Sequence, residues 1–203
     1  PASGLDVARE LADFAAAKKL RLMAGCTERW RSCFGQLKAA LRGGAVGTAH
    51  YARIFERRPL SRARPADPQR PGLDSLQHLL VPEGLLGYVD LVRWLFGEVK
   101  SVWGATLKLN PAVRGEDFAL ATMCTTGDQP VRVILDVNWS SPLPGRATRP
   151  SGPEVRVEGS SGALELDLAG GVLRARGHTG SPKETRLPPV PDLLMEPYLE
   201  LQG

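Results

Sequence analysis

"GYVDLVRWLFGEVKSVWG", residues 87 to 104, changes its hydrophobic period at Gly97. Upstream, Leu85, Leu86, Val89, Leu91, Val92, Leu95 and Phe96 form a broad apolar face at helical spacing, which Gly97 ends. Downstream the spacing becomes two. "VKSVWGATLKL" (99–109), "DFALATMCTT" (117–126) and "PVRVILDVNW" (130–139) each read as a strand, the last with Val131, Val133, Leu135, Val137 and Trp139 on one face. "EVRVEG" (154–159), "ALELDL" (163–168) and "GVLRAR" (171–176) add three short strands between Gly and Ser turns. The last stretch, "PKETRLPPVPDLLMEPYLELQG" (182–203), is proline-rich and reads as an irregular arm.

Upstream of this switch the chain is helical and mixed. Ser3 with Asp6 three positions on marks a helix start. Leu5, Ala8, Leu11, Ala12, Phe14 and Ala15 then recur at helical spacing as far as Lys18 and Lys19. "RLMAGC" (21–26) reads as a short strand. From Arg29, the set Trp30, Cys33, Phe34, Leu37 and Leu41 predicts an amphipathic helix stopped by Gly43 and Gly44, and "TAHYARIFER" (48–57) alternates like a strand. Helices first and then a run of strands predict an α+β fold with an open, mainly antiparallel sheet and helices on one face.

Composition narrows the function classes. The chain has 203 residues, a net charge of +4 and 26 basic residues, 20 of them arginine. The arginines are scattered, apart from "ERRPLSRARPADPQRP" (56–71), where prolines point to a solvated loop that can meet an anionic ligand rather than to a groove-reading helix. Nucleic acid is therefore not the expected partner. No stretch nears the roughly 18 apolar residues of a membrane span, and no leader pattern opens the chain, so a cytoplasmic protein is expected. Cys26, Cys33 and Cys124 are odd in number and lack metal-site spacing, as do His50 and His178, so free thiols and no metal site are expected. "RGGAVG" (42–47) follows a helix, and "GSSGALELD" (159–167) lacks a P-loop lysine, so neither reads as a phosphate cradle.

"GCTERWRSCFGQLKAALRGGAVGTAHYARI" (25–54), "GYVDLVRWLFGEVKSVWG", "NWSSP" (138–142) and "EVRVEGSSGALELD" (154–167) occur in an order that resembles the glucose-fructose oxidoreductase, inositol dehydrogenase and rhizopine-catabolism family, Gfo/Idh/MocA. That resemblance implies an N-terminal Rossmann domain binding NAD or NADP, followed by a C-terminal α/β domain that shapes the substrate site and forms oligomer contacts. Pro1 matches the end of the family's Glu-Lys-Pro crossing, at the cofactor edge. Residues 1–26 then resemble a helix-strand remnant of the nucleotide-binding domain, and residues 27–203 the substrate-binding and oligomerisation domain. With the glycine-rich βα turn missing, no cofactor is expected to bind this chain alone.

The resemblance also implies site residues. The family's D-x-x-x-H stretch precedes the D-L-x-R-W-L-x-G helix, its His exchanging the substrate's hydroxyl proton. Aligned on "DLVRWLFG" (90–97), Asp90 is the helix Asp and a substrate-binding candidate, Gly87 takes the His position and Glu83 the Asp position. In a rival register, "DSLQH" supplies Asp74 and His78, and "LLVPEGLLG" (79–87) has to loop out. Arg29 matches an arginine lining the interdomain cleft, with a structural salt bridge as the alternative. Trp94 and Trp139 read as core. The implied activity is oxidation or reduction of a sugar, cyclitol or related polyol by a dimer or tetramer paired through the open sheet. The alternative is a degenerate scaffold or sensor without redox chemistry.

Overall fold

The computed structural model describes residues 4–57, 76–140, 154–168 and 170–188. Its elements are α1 (Leu5–Ala17), α2 (Ser32–Arg42), β1 (Ala49–Arg57), α3 (Leu86–Phe96), β2 (Val99–Leu107), β3 (Phe118–Thr125), β4 (Arg132–Asn138), β5 (Glu154–Gly159), β6 (Gly162–Asp167), β7 (Val172–Gly177) and β8 (Lys183–Arg186). The strands form one open sheet in the order β2-β3-β4-β1-β5-β6-β7-β8. Its pairings are antiparallel except β1 with β4, which run parallel at the centre.

One face of this sheet is the core. Period-two alternation places Ala52 and Ile54 of β1, Val133, Leu135 and Val137 of β4, Val155 and Val157 of β5, and Leu164 and Leu166 of β6 on it, all buried. Phe34 and Leu37 of α2 and Tyr88, Leu91 and Val92 of α3 close over them, joined by Leu79, Leu80 and Leu85. Each large apolar side chain so covered contributes about 1.5–3 kcal/mol. Trp139 is also core. The place a Cβ on Gly84 would take lies 2.8 Å from its indole, so only glycine lets the helix backbone come this close.

The opposite face is open and divided. Trp103 and Leu107 of β2, 63% and 54% exposed, share it with Ile134 at one end, while Arg156, Glu165, Arg174 and Glu184 occupy the other. The helices do not reach over β2, so Val102, on its core-side face, is 61% exposed as well.

Several boundaries differ from the sequence reading. Gly4, not Ser3, takes the cap position of α1, without a side-chain cap bond. Residues 21–26 pair with no described strand, because apolar composition alone does not make a strand without an edge to join. Residues 27–30 form a separate 3₁₀ turn ahead of α2. The helix ending at Phe96 begins earlier than predicted, as a π turn over Val81–Leu85 that runs directly into α3. Gly97, at φ 93°, stops it as expected. β8 falls inside the stretch read as an irregular arm, whose remainder from residue 189 lies outside the described residues.

α1 stands apart from the core. Its helical spacing holds, yet Leu5, Leu11 and Phe14 are 66%, 48% and 59% exposed, and of its residues only Ala15 is buried.

Candidate functional site

The two binding residues implied by the resemblance meet. Arg29, on the 3₁₀ turn, donates through Nε and Nη2 to the two carboxylate oxygens of Asp90, midway along α3. The arginine side chain is 37% exposed and the aspartate 14%, so the pair sits at a rim with its acid inward. Such a planar two-point contact fixes orientation as well as charge.

Other groups crowd this pair. Burial pushes the Cys26 thiol above its usual range, and the Asp90 charge and hydrogen bond add to that, against a smaller opposing pull from Arg29. The Lys38 ammonium lies 3.7 Å from the Trp94 ring centroid. Burial, then Arg42 and Arg29, draw its pKa down. Arg93, one turn past Asp90, donates to Glu98 at 2.8 and 3.0 Å and holds that carboxylate below its ordinary range.

Gly87, three residues before Asp90, faces Glu28. A Cβ at Gly87 would lie 3.3 Å from Glu28 Cγ. Arg31 Nη1 donates to Glu28 Oε2 at 3.2 Å, and its guanidinium lies 5.8 Å from the ring centroid of the buried Phe34. No motif or periodicity in the sequence singled out Glu28, because only folding brings the 3₁₀ turn against α3. Glu83 is half-buried on the π turn, one turn before Gly87.

The rival register separates. His78 is 73% exposed, with Nδ1 3.5 Å from Glu116 Oε2. Glu116 also accepts the helix-opening amides, Leu80 through its carbonyl and Val81 through Oε1, each at 3.0 Å. Residues 80–96 form one continuous helical run, so the expected loop-out of 79–87 does not occur. Leu80 and Asp90 are thus about 15 Å apart along the axis, and His78 is held before that helix, against Glu116. The physical reason is that Pro82 sits in the first helical turn, where its missing N–H is tolerated. Asp74 and Pro1 lie outside the described residues, as does most of the arginine-rich stretch at 56–71.

The glycine motifs engage each other. Thr48 N–H donates to Ser160 Oγ at 3.0 Å, and the Ser160 and Ser161 amides donate to Thr48 and Val46 carbonyls at 3.0 and 2.9 Å. Gly47, at φ 68°, leaves room for the two serine hydroxyls, which lie 2.4 and 2.5 Å from where its Cβ would be. Amides and space that a pyrophosphate would need are therefore taken up within the fold, and these residues do not fit a dinucleotide. Among the described residues no cluster of His, Cys, Asp and Glu could hold a metal, and the three cysteines are free.

A cavity of about 410 Å³ opens on the other face, lined by Arg53, Glu154, Arg156, Glu165, Asp167 and Arg174. Within it Arg156 pairs with Glu165, and Arg174 reaches Glu184, each at 2.6 Å, and its lining includes none of the site residues that the resemblance implies. The rim at Arg29, Asp90 and Gly87 is the better candidate.

Residues 34–165 match the family model for the GFO/IDH/MocA C-terminal domain. The chain belongs to the Gfo/Idh/MocA family. The D-apiose dehydrogenase of Paraburkholderia graminis is 30% identical over 163 residues, covering 79% of this chain and 40% of that protein. The D-apiose dehydrogenase of Rhizobium rhizogenes is 24% identical over 176 residues, 86% of this chain and 48% of that one. The chain thus spans less than half the length of these curated relatives. An oxidoreductase from Agrobacterium radiobacter, solved with NAD+, L-tartaric acid and magnesium, superposes with a TM-score of 0.77 at 22% identity, over 98% of this chain and 56% of that one. An inositol dehydrogenase homologue from Azotobacter vinelandii, solved with NADH and myo-inositol, gives 0.70 at 15% identity, over 90% and 46%. These structures show that the Gfo/Idh/MocA sheet is the fold adopted here. Among the described residues no helix is long and apolar enough to cross a membrane.

Proposed function

We propose that residues 27–203 are the substrate-side domain of a cytoplasmic NAD(P)-dependent oxidoreductase acting on a sugar, cyclitol or related polyol. D-apiose, the sugar named for the two relatives, is the first candidate. The observation that carries this reading is the Arg29–Asp90 pair, which sets a guanidinium and a carboxylate at one rim where the chain passes from residues 1–26 into the sheet domain. Fixed charged groups of both signs suit a polyhydroxylated, neutral ligand, whose hydroxyls both donate and accept.

Residues 1–26 are, on this reading, a remnant of a nucleotide-binding domain, and the exposed Leu5, Leu11 and Phe14 support it. Hydride chemistry then depends on a nicotinamide held by a domain outside the described residues. Trp103, Leu107 and Ile134 on the open face support pairing of copies through the sheet.

One observation favours the second reading, a scaffold or sensor without redox chemistry: Gly87 supplies no side chain where the resemblance implies the proton-exchanging His. Titration calorimetry of the 203-residue chain separates the two. Binding of D-apiose or myo-inositol that Arg29→Ala abolishes, with no heat from NAD or NADP, is the expected result. Absence of sugar binding favours the scaffold, and stoichiometric nucleotide binding overturns the domain assignment.

A further inference from the structure

A side chain at residue 87 would press against Glu28. The place for a Gly87 Cβ lies 3.3 Å from Glu28 Cγ, so the Glu28 side chain stands directly against the bare position, three residues from Asp90. Glu28 and Arg31 are 19% and 20% exposed, shielded enough to be held yet open on one side. Arg31 engages Oε2 at 3.2 Å, and among the described residues Oε1 accepts no hydrogen bond. One oxygen is therefore anchored, and the other keeps its capacity to accept from a further donor. An ionised carboxylate is an acceptor only, and its strong bonds come from O–H and N–H donors.

We propose that Glu28 is the acceptor for a substrate hydroxyl at this site, in the place of the side chain Gly87 lacks, with Arg31 as its positioning residue. This rests on the substrate-side reading given above and adds to it a residue and a substrate class. A neutral sugar or cyclitol presents O–H donors to Oε1. A sugar acid with its carboxylate at that point meets a like charge and is rejected.

The test uses the 203-residue chain with ¹³C-carboxyl-labelled glutamate, titrated with D-apiose and, separately, with sodium D-galacturonate. Glu28→Gln assigns the resonance. The expected result is a saturable shift of the Glu28 carboxyl with D-apiose, a smaller one in Arg31→Ala, and about tenfold weaker binding in Glu28→Gln, with galacturonate gaining relative to D-apiose in that variant. If D-apiose perturbs Arg29 and Asp90 but leaves Glu28 unmoved, the role of Glu28 is overturned and the substrate-side reading stands. If D-apiose perturbs nothing, the substrate-side reading itself fails and the inference with it. A stability measurement checks the geometry apart from any ligand. Gly87→Ala is expected to destabilise the chain less in a Glu28→Ala background than alone, and equal effects in both backgrounds overturn that contact.

Discussion

Arg29 and Asp90, 61 positions apart in the chain, form a two-point ion pair that ties the 3₁₀ turn to the middle of α3. The turn otherwise follows residues 20–26, which join no ladder, so this pair is a principal tether of the entry to the sheet domain. It is partly buried, which makes its loss costlier than that of an exposed pair such as Arg9 with Asp6.

Breaking that tether has a graded outcome. Arg29→Lys replaces a planar fork with a point charge and is expected to cost about 1 kcal/mol, and Asp90→Ala about 2 kcal/mol. Urea denaturation measures both. A double-mutant cycle is expected to return a coupling of about 1–2 kcal/mol; additive losses would mean that the pair carries no energy of its own.

Cys26 reports on the same carboxylate. Burial raises its pKa, and Asp90 adds to the shift. The folded state therefore holds the thiol proton in a window above a free thiol's ordinary 9.0, where the unfolded chain has already released it, so stability declines as pH rises through that window. Asp90→Asn removes the negative neighbour and speeds iodoacetamide alkylation of Cys26 at pH 8.5, while buried Cys33 and Cys124 stay protected. Mass spectrometry of tryptic peptides reads each site; an unchanged Cys26 rate would contradict the contact.

Asp117 is fully buried, with its carboxylate accepting the Leu109 and Asn110 amides at 2.6 and 2.8 Å and the Ser140 hydroxyl. It ties the loop before β3 to the end of β4. Asp117→Ala leaves buried donors unpaired and is expected to cost about 2–4 kcal/mol in urea denaturation. Ser140→Ala removes one donor of the three and is expected to cost about 1 kcal/mol.

α1 and the open face give a linked prediction. Leu11 and Phe14 lie bare on α1, and Trp103 on β2. Light scattering at tens of micromolar is expected to show a dimer or tetramer that Trp103→Glu converts to monomer. In that monomer the α1 amides exchange with solvent before those of β1 and β4. A wild-type monomer, or an α1 as protected as the central strands, would contradict the reading of these surfaces.

Much of the sheet is legible from alternation alone. Val131 to Trp139 announce β4 because every second residue is apolar and buried. β8 is silent for the same reason in reverse, since Lys183–Arg186 is polar and exposed throughout. "RLMAGC" misleads because strand character depends on a partner edge, a property of the whole fold. At the site, Arg29 and Asp90 could be singled out through the resemblance, yet their contact could not, since nothing local links positions 61 apart. Glu28 was invisible, because its position matters only through the absence of a side chain at Gly87 on another element.

A chimera puts the substrate-side assignment to its most direct test. Residues 27–203 would replace the corresponding region of the Paraburkholderia graminis D-apiose dehydrogenase, keeping that protein's own N-terminal part, and NADH or NADPH formation would be followed at 340 nm. Turnover with D-apiose or another neutral sugar, lost in Arg29→Ala, is the expected result. A folded chimera that reduces neither nucleotide with any sugar or cyclitol would contradict the account and leave the sheet as a scaffold.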